Sequence, residues 1–180
     1  MNIFPHMKSR RITLQPKSTA PTAEDYNLIL KLGLDSTSNF ESFSAAMQKK
    51  SIDANFSIRL NGDDSAAGFS MLLDLDQDAG HVHTAVYIDP AAARQGIGAD
   101  ATLLTVNYAF AMWNIRKVYF ETTDASSGDF GAMLEKPPEA TLNDYIFFRG
   151  RLWDLKVYAL TRDEWEKELY DYVRKLAPQD

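Results

Sequence analysis

The residues best suited to binding chemistry are two glycines, Gly96 and Gly98, within the run Arg94-Gln95-Gly96-Ile97-Gly98-Ala99. They follow a strand-like run, Val86-Tyr87-Ile88, and they open a long apolar stretch that is typical of a helix. Glycine lets the backbone approach a ligand because no Cβ stands in the way. The free N–H groups of a first helical turn and the helix dipole then favour an anion. The spacing predicts a loop that cradles phosphate.

Two histidines are the next candidates, because His81 and His83 alternate with apolar residues along a predicted strand. Imidazole titrates near neutral pH and suits a general base. A histidine that faces solvent at the end of a hairpin is the alternative, and it stays open here. The chain has no cysteine and only three histidines. Disulfides and thiolate metal sites are therefore excluded, and no metal centre is expected.

Charge and length limit the partners and the organisation of the chain. The net charge of −6 argues against nucleic acid and against anionic membrane surfaces, which need a basic field. A length of 180 residues predicts a single domain over residues 1–180, with a flexible N-terminal segment over residues 1–10. No apolar signal region and no membrane-spanning run is present, so a cytoplasmic protein is expected.

The hydrophobic pattern predicts an α+β fold with a mixed sheet. Capping boxes at Thr22 and Thr161 mark two helix starts, and Asn61-Gly62 is expected to supply the positive φ of a hairpin turn. Strand, helix and strand from residue 81 to 122 indicate a parallel crossover. The predicted strands span residues 11–15, 55–60, 68–75, 81–88, 117–122, 145–148 and 152–160. The predicted helices span residues 22–34, 40–50 and 98–113, and a last helix follows residue 161. Residues 123–143 are predicted to be irregular.

Two blocks of sequence resemble a known family. The first is Asp89-Pro90 with Gln95 to Ala101 and then Asn107-Tyr108-Ala109-Phe110, and the second is Arg149-Gly150-Arg151-Leu152-Trp153-Asp154. They resemble the acyl-CoA-binding motif and the closing block of the GCN5-related N-acetyltransferases (GNAT), with the RimJ/RimL-like branch the most similar. The resemblance extends over residues 11 to 166.

The resemblance implies a GNAT-like central sheet, mixed and mostly antiparallel, of about six or seven strands flanked by helices. It also implies an N-acetyltransferase in which an amine attacks the thioester of acetyl-CoA, or of another acyl-CoA, directly. The co-substrate would lie between the strand that ends at Ile88 and the strand that begins at Lys117. The residues implied to bind it are Val86, Tyr87, Ile88, Arg94, Gln95, Gly96, Ile97, Gly98 and Ala99.

The catalytic positions match the family less closely. His83 stands where many members carry a glutamate base, and Glu121 could polarise the acceptor amine, with an exposed edge carboxylate as the alternative. The stretch after Glu121 lacks the usual asparagine and tyrosine, so Tyr145, a serine or water would have to protonate the leaving thiolate. Ala93 also replaces the usual arginine or glutamine before the first glycine.

The acceptor implied by the family is a small-molecule amine or a protein N-terminus, and a homodimer is a family expectation. Two other hypotheses stay open. The chain could be a degenerate relative that binds acyl-CoA or a pantetheine carrier without transfer, or a structural domain whose glycine-rich turn holds no ligand.

Overall fold

The computed structural model describes residues 3–34, 39–93, 96–124 and 136–176. Within these residues, seven strands form one sheet in the order β1-β2-β3-β4-β5-β7-β6. The strands are β1 (Ile12–Pro16), β2 (Ile52–Leu60), β3 (Ala66–Asp76), β4 (His81–Ile88), β5 (Lys117–Thr122), β6 (Ala140–Phe148) and β7 (Arg151–Thr161). The helices are α1 (Ala23–Lys31), α2 (Phe40–Gln48), α3 (Ile97–Met112), α4 (Arg162–Glu164), a π-helix (Trp165–Leu169) and α5 (Tyr170–Leu176).

Neighbouring strands in the described sheet are antiparallel, except that β4 and β5 run parallel. Helix α3 connects these two parallel strands, as a parallel pair requires a crossover. The predicted crossover, the α+β class and the mostly antiparallel mixed sheet are therefore confirmed.

The two faces of the sheet carry two separate hydrophobic clusters. On one face, α3 and the C-terminal helices cover the larger core, in which Phe56, Leu72, Val82 and Val118 are almost completely buried. On the other face, α1 and α2 pack on a smaller cluster that includes Phe69, Met71 and Leu73 of β3. Strand residues alternate between the faces, so His83 and Val82 lie on opposite sides.

Helix α3 is apolar around most of its circumference, since it is buried against the sheet and the C-terminal helices. Gly96 precedes it with a left-handed φ of 78°, and the last helical residue is Met112. The only acidic residue in its first turn, Asp100, is buried. The predicted burial of this helix against the sheet is confirmed.

Three local predictions need correction. The Asn61-Gly62 turn exists, but the positive φ falls on Asp64, because five residues separate β2 from β3 and the chain has room to reverse later. Strand β6 begins at Ala140, well before residue 145, because its polar N-terminal half pairs with β7. The last helix contains a π-helical turn, Trp165–Leu169, which hydrophobic spacing does not reveal.

The N-terminal segment lies against α3 and α5. Ile3 is buried in the larger core, the Asn107 side chain donates to the Phe4 carbonyl at 2.7 Å, and the Phe4 N–H donates to the Tyr170 hydroxyl at 3.0 Å. The flexibility expected for residues 1–10 stays a prediction. Among the described residues, no helix is long and apolar enough to cross a membrane.

Candidate functional site

A gap opens where the parallel strands β4 and β5 separate. The two strands pair at four positions, from His81–Lys117 to Thr84–Phe120. Among the described residues, none of β4 after Thr84 is paired with a residue of β5. Strand β4 nevertheless continues to Ile88 and stays paired with β3 throughout. The last four residues of β4 therefore form one wall of the gap.

Backbone groups of Val86 and Ile88 face this gap. The Asp89 N–H donates to the Ala67 carbonyl at 2.8 Å, and a Cβ added to Gly68 would lie 2.0 Å from the Tyr87 carbonyl oxygen. Tyr87 and Asp89 thus direct their backbone polar groups toward β3. Because these groups alternate sides along a strand, those of Val86 and Ile88 point away from β3 and into the gap.

The N-terminus of α3 lies at the open end of the gap. A Cβ at Gly98 would stand 3.7 Å from the Ile88 side chain, which brings the first helical turn beside the end of β4. The first turn of any helix carries N–H groups without intrahelical partners, and these favour an anion. Gly96 precedes α3, and Ile97, Gly98 and Ala99 form its first turn. Their role in binding stays a prediction, and Arg94 and Gln95 lie outside the described residues.

The loop that joins β4 to α3 is held at its start by Asp89. Its carboxylate accepts from the Ala91 N–H at 2.9 Å and from the Lys31 ammonium at 2.9 Å. The hydrogen bond from Lys31 and that from Ala91 lower the pKa of Asp89 and keep it ionised at neutral pH. Helix α1 is thereby linked to the glycine-rich loop.

Sequence reasoning did not identify Arg11, which lies beside this loop. Its Nε donates to Asp100 at 2.9 Å, and Ser9 also donates to Asp100 at 2.7 Å. A Cβ added to Gly96 would stand 3.1 Å from the Arg11 Nη1. The hydrogen bond to Asp100 raises the pKa of Arg11, and 40% of its side chain stays exposed. A guanidinium thus adds positive charge at the start of α3, and no motif around residue 11 signals this.

His83 and Glu121 meet on the other side of the sheet, beside the point where the strands separate. His83 lies opposite Tyr119 in the parallel register, and Glu121 is two residues further along β5. The distance from His83 Nδ1 to Glu121 Oε1 is 3.5 Å, and the side chains are 32% and 45% exposed. Two residues predicted independently to be catalytic are therefore in contact.

The charge of Glu121 is maintained by its neighbours. A hydrogen bond from His83 lowers the pKa of Glu121 and outweighs the partial burial that raises it, and the positive charge of Lys50 lowers it further. Burial raises the pKa of the Tyr87 phenol, with a contribution from Glu121, so this phenol is protonated at neutral pH.

Aromatic rings surround His83. Its ring centroid lies 5.2 Å from that of Tyr119 and 6.0 Å from that of His81. His81 and Tyr119 are 5.5 Å apart in turn. These contacts place the imidazole in a small cluster of three rings, with part of its surface open to solvent.

Tyr145 lies apart from this pair. It is on β6, at the edge of the sheet, and β7 separates β6 from β5. Its side chain is 64% exposed. The segment 125–135, in which the family carries its usual acid, lies outside the described residues. The role assigned to Tyr145 stays a prediction.

Several solved structures share this architecture. A probable GNAT-family acetyltransferase from Chromobacterium violaceum matches with a TM-score of 0.66 and 19% identity, over 90% of this chain and 88% of that one. A GCN5-related N-acetyltransferase from Brucella melitensis matches with a TM-score of 0.67 and 17% identity, over 96% and 86% of the two chains. The chain has the GNAT fold.

A third similar structure is the spermidine/spermine N-acetyltransferase of Vibrio cholerae, with a TM-score of 0.68 and 16% identity, over 88% of this chain and 97% of that one. No family model and no curated protein matches the sequence. The GNAT fold expected from the two sequence blocks is thus found through three-dimensional similarity, and the RimJ/RimL-like branch stays a prediction.

Proposed function

We propose that this protein is an acyl-CoA-dependent N-acyltransferase and that acetyl-CoA is its acyl donor. The observation that carries the proposal is the separation of β4 from β5 after Thr84 and Phe120. The first turn of α3, which would bind phosphate, lies at the open end of that gap. The contact between His83 and Glu121 lies at its closed end, where an acyl group carried on a long arm would arrive.

The residues around the gap fit a phosphorylated, extended donor. Backbone N–H groups from Gly96 to Ala99 would bind the pyrophosphate, and the exposed part of the Arg11 guanidinium would add charge where Ala93 provides none. The backbone groups of Val86 and Ile88 would hydrogen-bond the pantetheine arm. Arg94 and Gln95 remain predicted contacts. The backbone groups of Tyr87 point toward β3, so the predicted pairing of the Tyr87 backbone with the arm needs correction, and any contact would come from its side chain.

When bound, acyl-CoA supplies a thioester carbonyl carbon that forms a C–N bond with the amine as the C–S bond breaks. His83 is the general base of the proposed reaction: it accepts the proton that the attacking nitrogen must lose. Its partial exposure of 32% leaves the imidazole accessible to an amine. Water returns a proton to the thiolate unless Tyr145 does so, and the products are an amide and a free thiol.

The acceptor class that we favour is a small-molecule cationic amine. Glu121 keeps an ionised carboxylate beside His83, whose negative potential favours a cation in the site without a direct contact, and the whole chain carries a net charge of −6. The similar structure from Vibrio cholerae is, by name, a spermidine/spermine N-acetyltransferase. A protein N-terminus is the second acceptor class. The homodimer and the cytoplasmic location stay predictions from the sequence.

The experiment is an acetyl-CoA assay with a panel of amines, including spermidine, spermine, a monoamine and a peptide with a free N-terminus. Release of free thiol is measured, and acetylated product is identified by mass spectrometry. We expect thiol release that depends on an amine, with polyamines ahead of the peptide. The absence of amine-dependent release across the panel would contradict the transferase assignment.

The second candidate is a domain that binds acyl-CoA without transfer. It is favoured by the sequence from Asp124 to Leu134, which contains no asparagine and no tyrosine. Thermal melting with CoA separates the two only together with the turnover assay, because a ligand that binds the folded state raises the melting temperature whether or not it reacts. Stabilisation by CoA without turnover would support the binding domain, and no stabilisation would contradict both.

A further inference from the structure

We propose that Glu121 acts on catalysis through His83: it holds the imidazole as the tautomer with a proton on Nδ1, so that Nε2 carries the lone pair. This inference rests on the proposed function, in which His83 is the base. It assigns Glu121 as a positioning residue rather than as a direct contact of the acceptor amine.

The contact geometry carries the inference. The atom of His83 that approaches Glu121 is Nδ1, at 3.5 Å from Oε1. An ionised carboxylate accepts hydrogen bonds and cannot donate them, so this approach favours the form of His83 that carries the proton on the nitrogen facing Glu121. In a neutral imidazole the other nitrogen is then the acceptor. Contacts of this kind are often long without substrate and shorten in the reacting complex.

The surroundings of the pair favour an ionised Glu121 and an ordered ring. The groups that face the pair are Tyr119 of β5, His81 and Tyr87 of β4, and Lys50, two residues after the end of α2. Lys50 is the cation among them, and it favours the carboxylate form. Tyr119 lies against the imidazole with an interplanar angle of 32°, which limits rotation of the ring.

The alternative role predicts different kinetics. If Glu121 bound the acceptor ammonium directly, its loss would raise the KM for the amine, and the effect would persist in a variant without His83. If Glu121 acts through His83, its loss lowers kcat, and the loss vanishes once His83 is absent. When two groups act as a unit, the loss in kcat from removing both is smaller than the sum of the two single losses.

The first experiment is ¹⁵N NMR of the imidazole nitrogens in the protein without ligands. The chain has only three histidines, at 6, 81 and 83, and His83→Asn identifies the signals of His83. We expect neutral His83 to carry its proton on Nδ1 in the wild type. Glu121→Ala should move the population toward the other tautomer. A tautomer distribution that Glu121→Ala leaves unchanged would overturn the inference.

The matched control is Glu139→Ala. Glu139 is a carboxylate of nearly the same exposure, 46%, but its partner is the ammonium of Lys117 at 2.8 Å. The control makes a comparable change of charge near the same strands. It should leave the His83 signals in place, and a shift as large as that from Glu121→Ala would count against a specific contact.

The second experiment is kinetic, with Glu121→Ala, His83→Ala and the double variant. We expect Glu121→Ala to lower kcat about tenfold or more, which is the usual range for a partner that orients a functional histidine. The KM for the amine should stay within about twofold, and the double variant should match His83→Ala. Additive losses, or a loss confined to KM, would overturn the inference.

The two proposals fail separately. A wild-type protein that acetylates no amine would contradict the proposed function, while the NMR result would still decide the tautomer. A wild-type protein that turns over while Glu121→Ala retains full kcat would contradict the inference alone.

Discussion

Arg11 and Asp100 form an ion pair at the first turn of α3. The guanidinium holds the carboxylate through Nε at 2.9 Å and through Nη2, and Asp100 is buried while 40% of the Arg11 side chain is exposed. The buried end of the pair fixes the start of the helix to the segment before β1. The exposed end brings a positive charge beside Gly96, where the proposed pyrophosphate would bind.

Arg11→Lys should weaken the binding of CoA. Lysine keeps the charge but loses the fork that reaches Asp100 and Gly96 together. We expect the Kd for CoA to rise about tenfold, as for the loss of one charge-assisted hydrogen bond. Isothermal titration calorimetry measures this, and a melting curve without CoA shows whether the variant is folded.

Two controls sharpen the Arg11 test. Arg10→Lys makes the same change at the neighbouring exposed arginine and should leave the Kd unaltered. S-acetylpantetheine lacks phosphates, so its KM should be the same for wild type and Arg11→Lys. An equal loss with both donors would assign Arg11 a structural role only.

His83→Ala should lower kcat for the acyl transfer about a hundredfold or more, because a positioned general base contributes in that range. Binding of CoA should remain, since His83 is on the opposite face from α3. The measurements are the initial rate of thiol release and the Kd for CoA. A rate within twofold of wild type would reassign the base.

Gly68→Ala should destabilise the protein strongly. The φ of Gly68 is 152°, and an added Cβ would lie 2.0 Å from the Tyr87 carbonyl oxygen, which is backbone and cannot move aside. We expect a loss of about 2 kcal/mol or more in the free energy of unfolding. Urea denaturation measures it.

Gly62→Ala is the matched control. Gly62 lies in the turn between β2 and β3, it does not have a positive φ, and an added Cβ would meet no atom within 4 Å. The change should stay within about 0.5 kcal/mol. Equal effects at the two glycines would contradict the close approach of β3 and β4.

Glu164 should make the stability depend on pH in the acid range. Burial raises its pKa, but Lys136 at 2.9 Å and the N–H and hydroxyl of Thr161 together lower it from 4.5 to about 2. A carboxylate with a lowered folded-state pKa stabilises the fold fully above its unfolded pKa. That contribution is lost as the pH falls from about 4.5 through about 2.

The measurement is the free energy of unfolding of wild type and Glu164→Gln across this range. Wild type should be the more stable protein at pH 6, and the difference should shrink as the pH falls below 4.5. Glu168→Gln, on the exposed side of the π-helix, removes the same charge without the capping bonds. A difference that is constant from pH 6 to pH 2 would contradict the role of Glu164.

Local signals predicted much of the fold. Strands β4 and β5 have the bounds expected from alternation, and the capping boxes at Thr22 and Thr161 form as predicted. These features depend on residues close in sequence. The start of β6 and the π-helical turn were missed, because the first depends on pairing with β7 and hydrophobic spacing does not reveal the second.

The sequence by itself determined the glycine-rich turn before an apolar helix, the two candidate residues His83 and Glu121, and the order of strands and helices. Only the tertiary structure decided that β4 and β5 separate after four pairs and that Glu121 faces His83 Nδ1. It also decided that Arg11 reaches Gly96. Glu121 is 38 positions from His83, and Gly96 is 85 positions from Arg11. These contacts depend on the crossover and on the register of the sheet, and a single sequence carries no local signal for either.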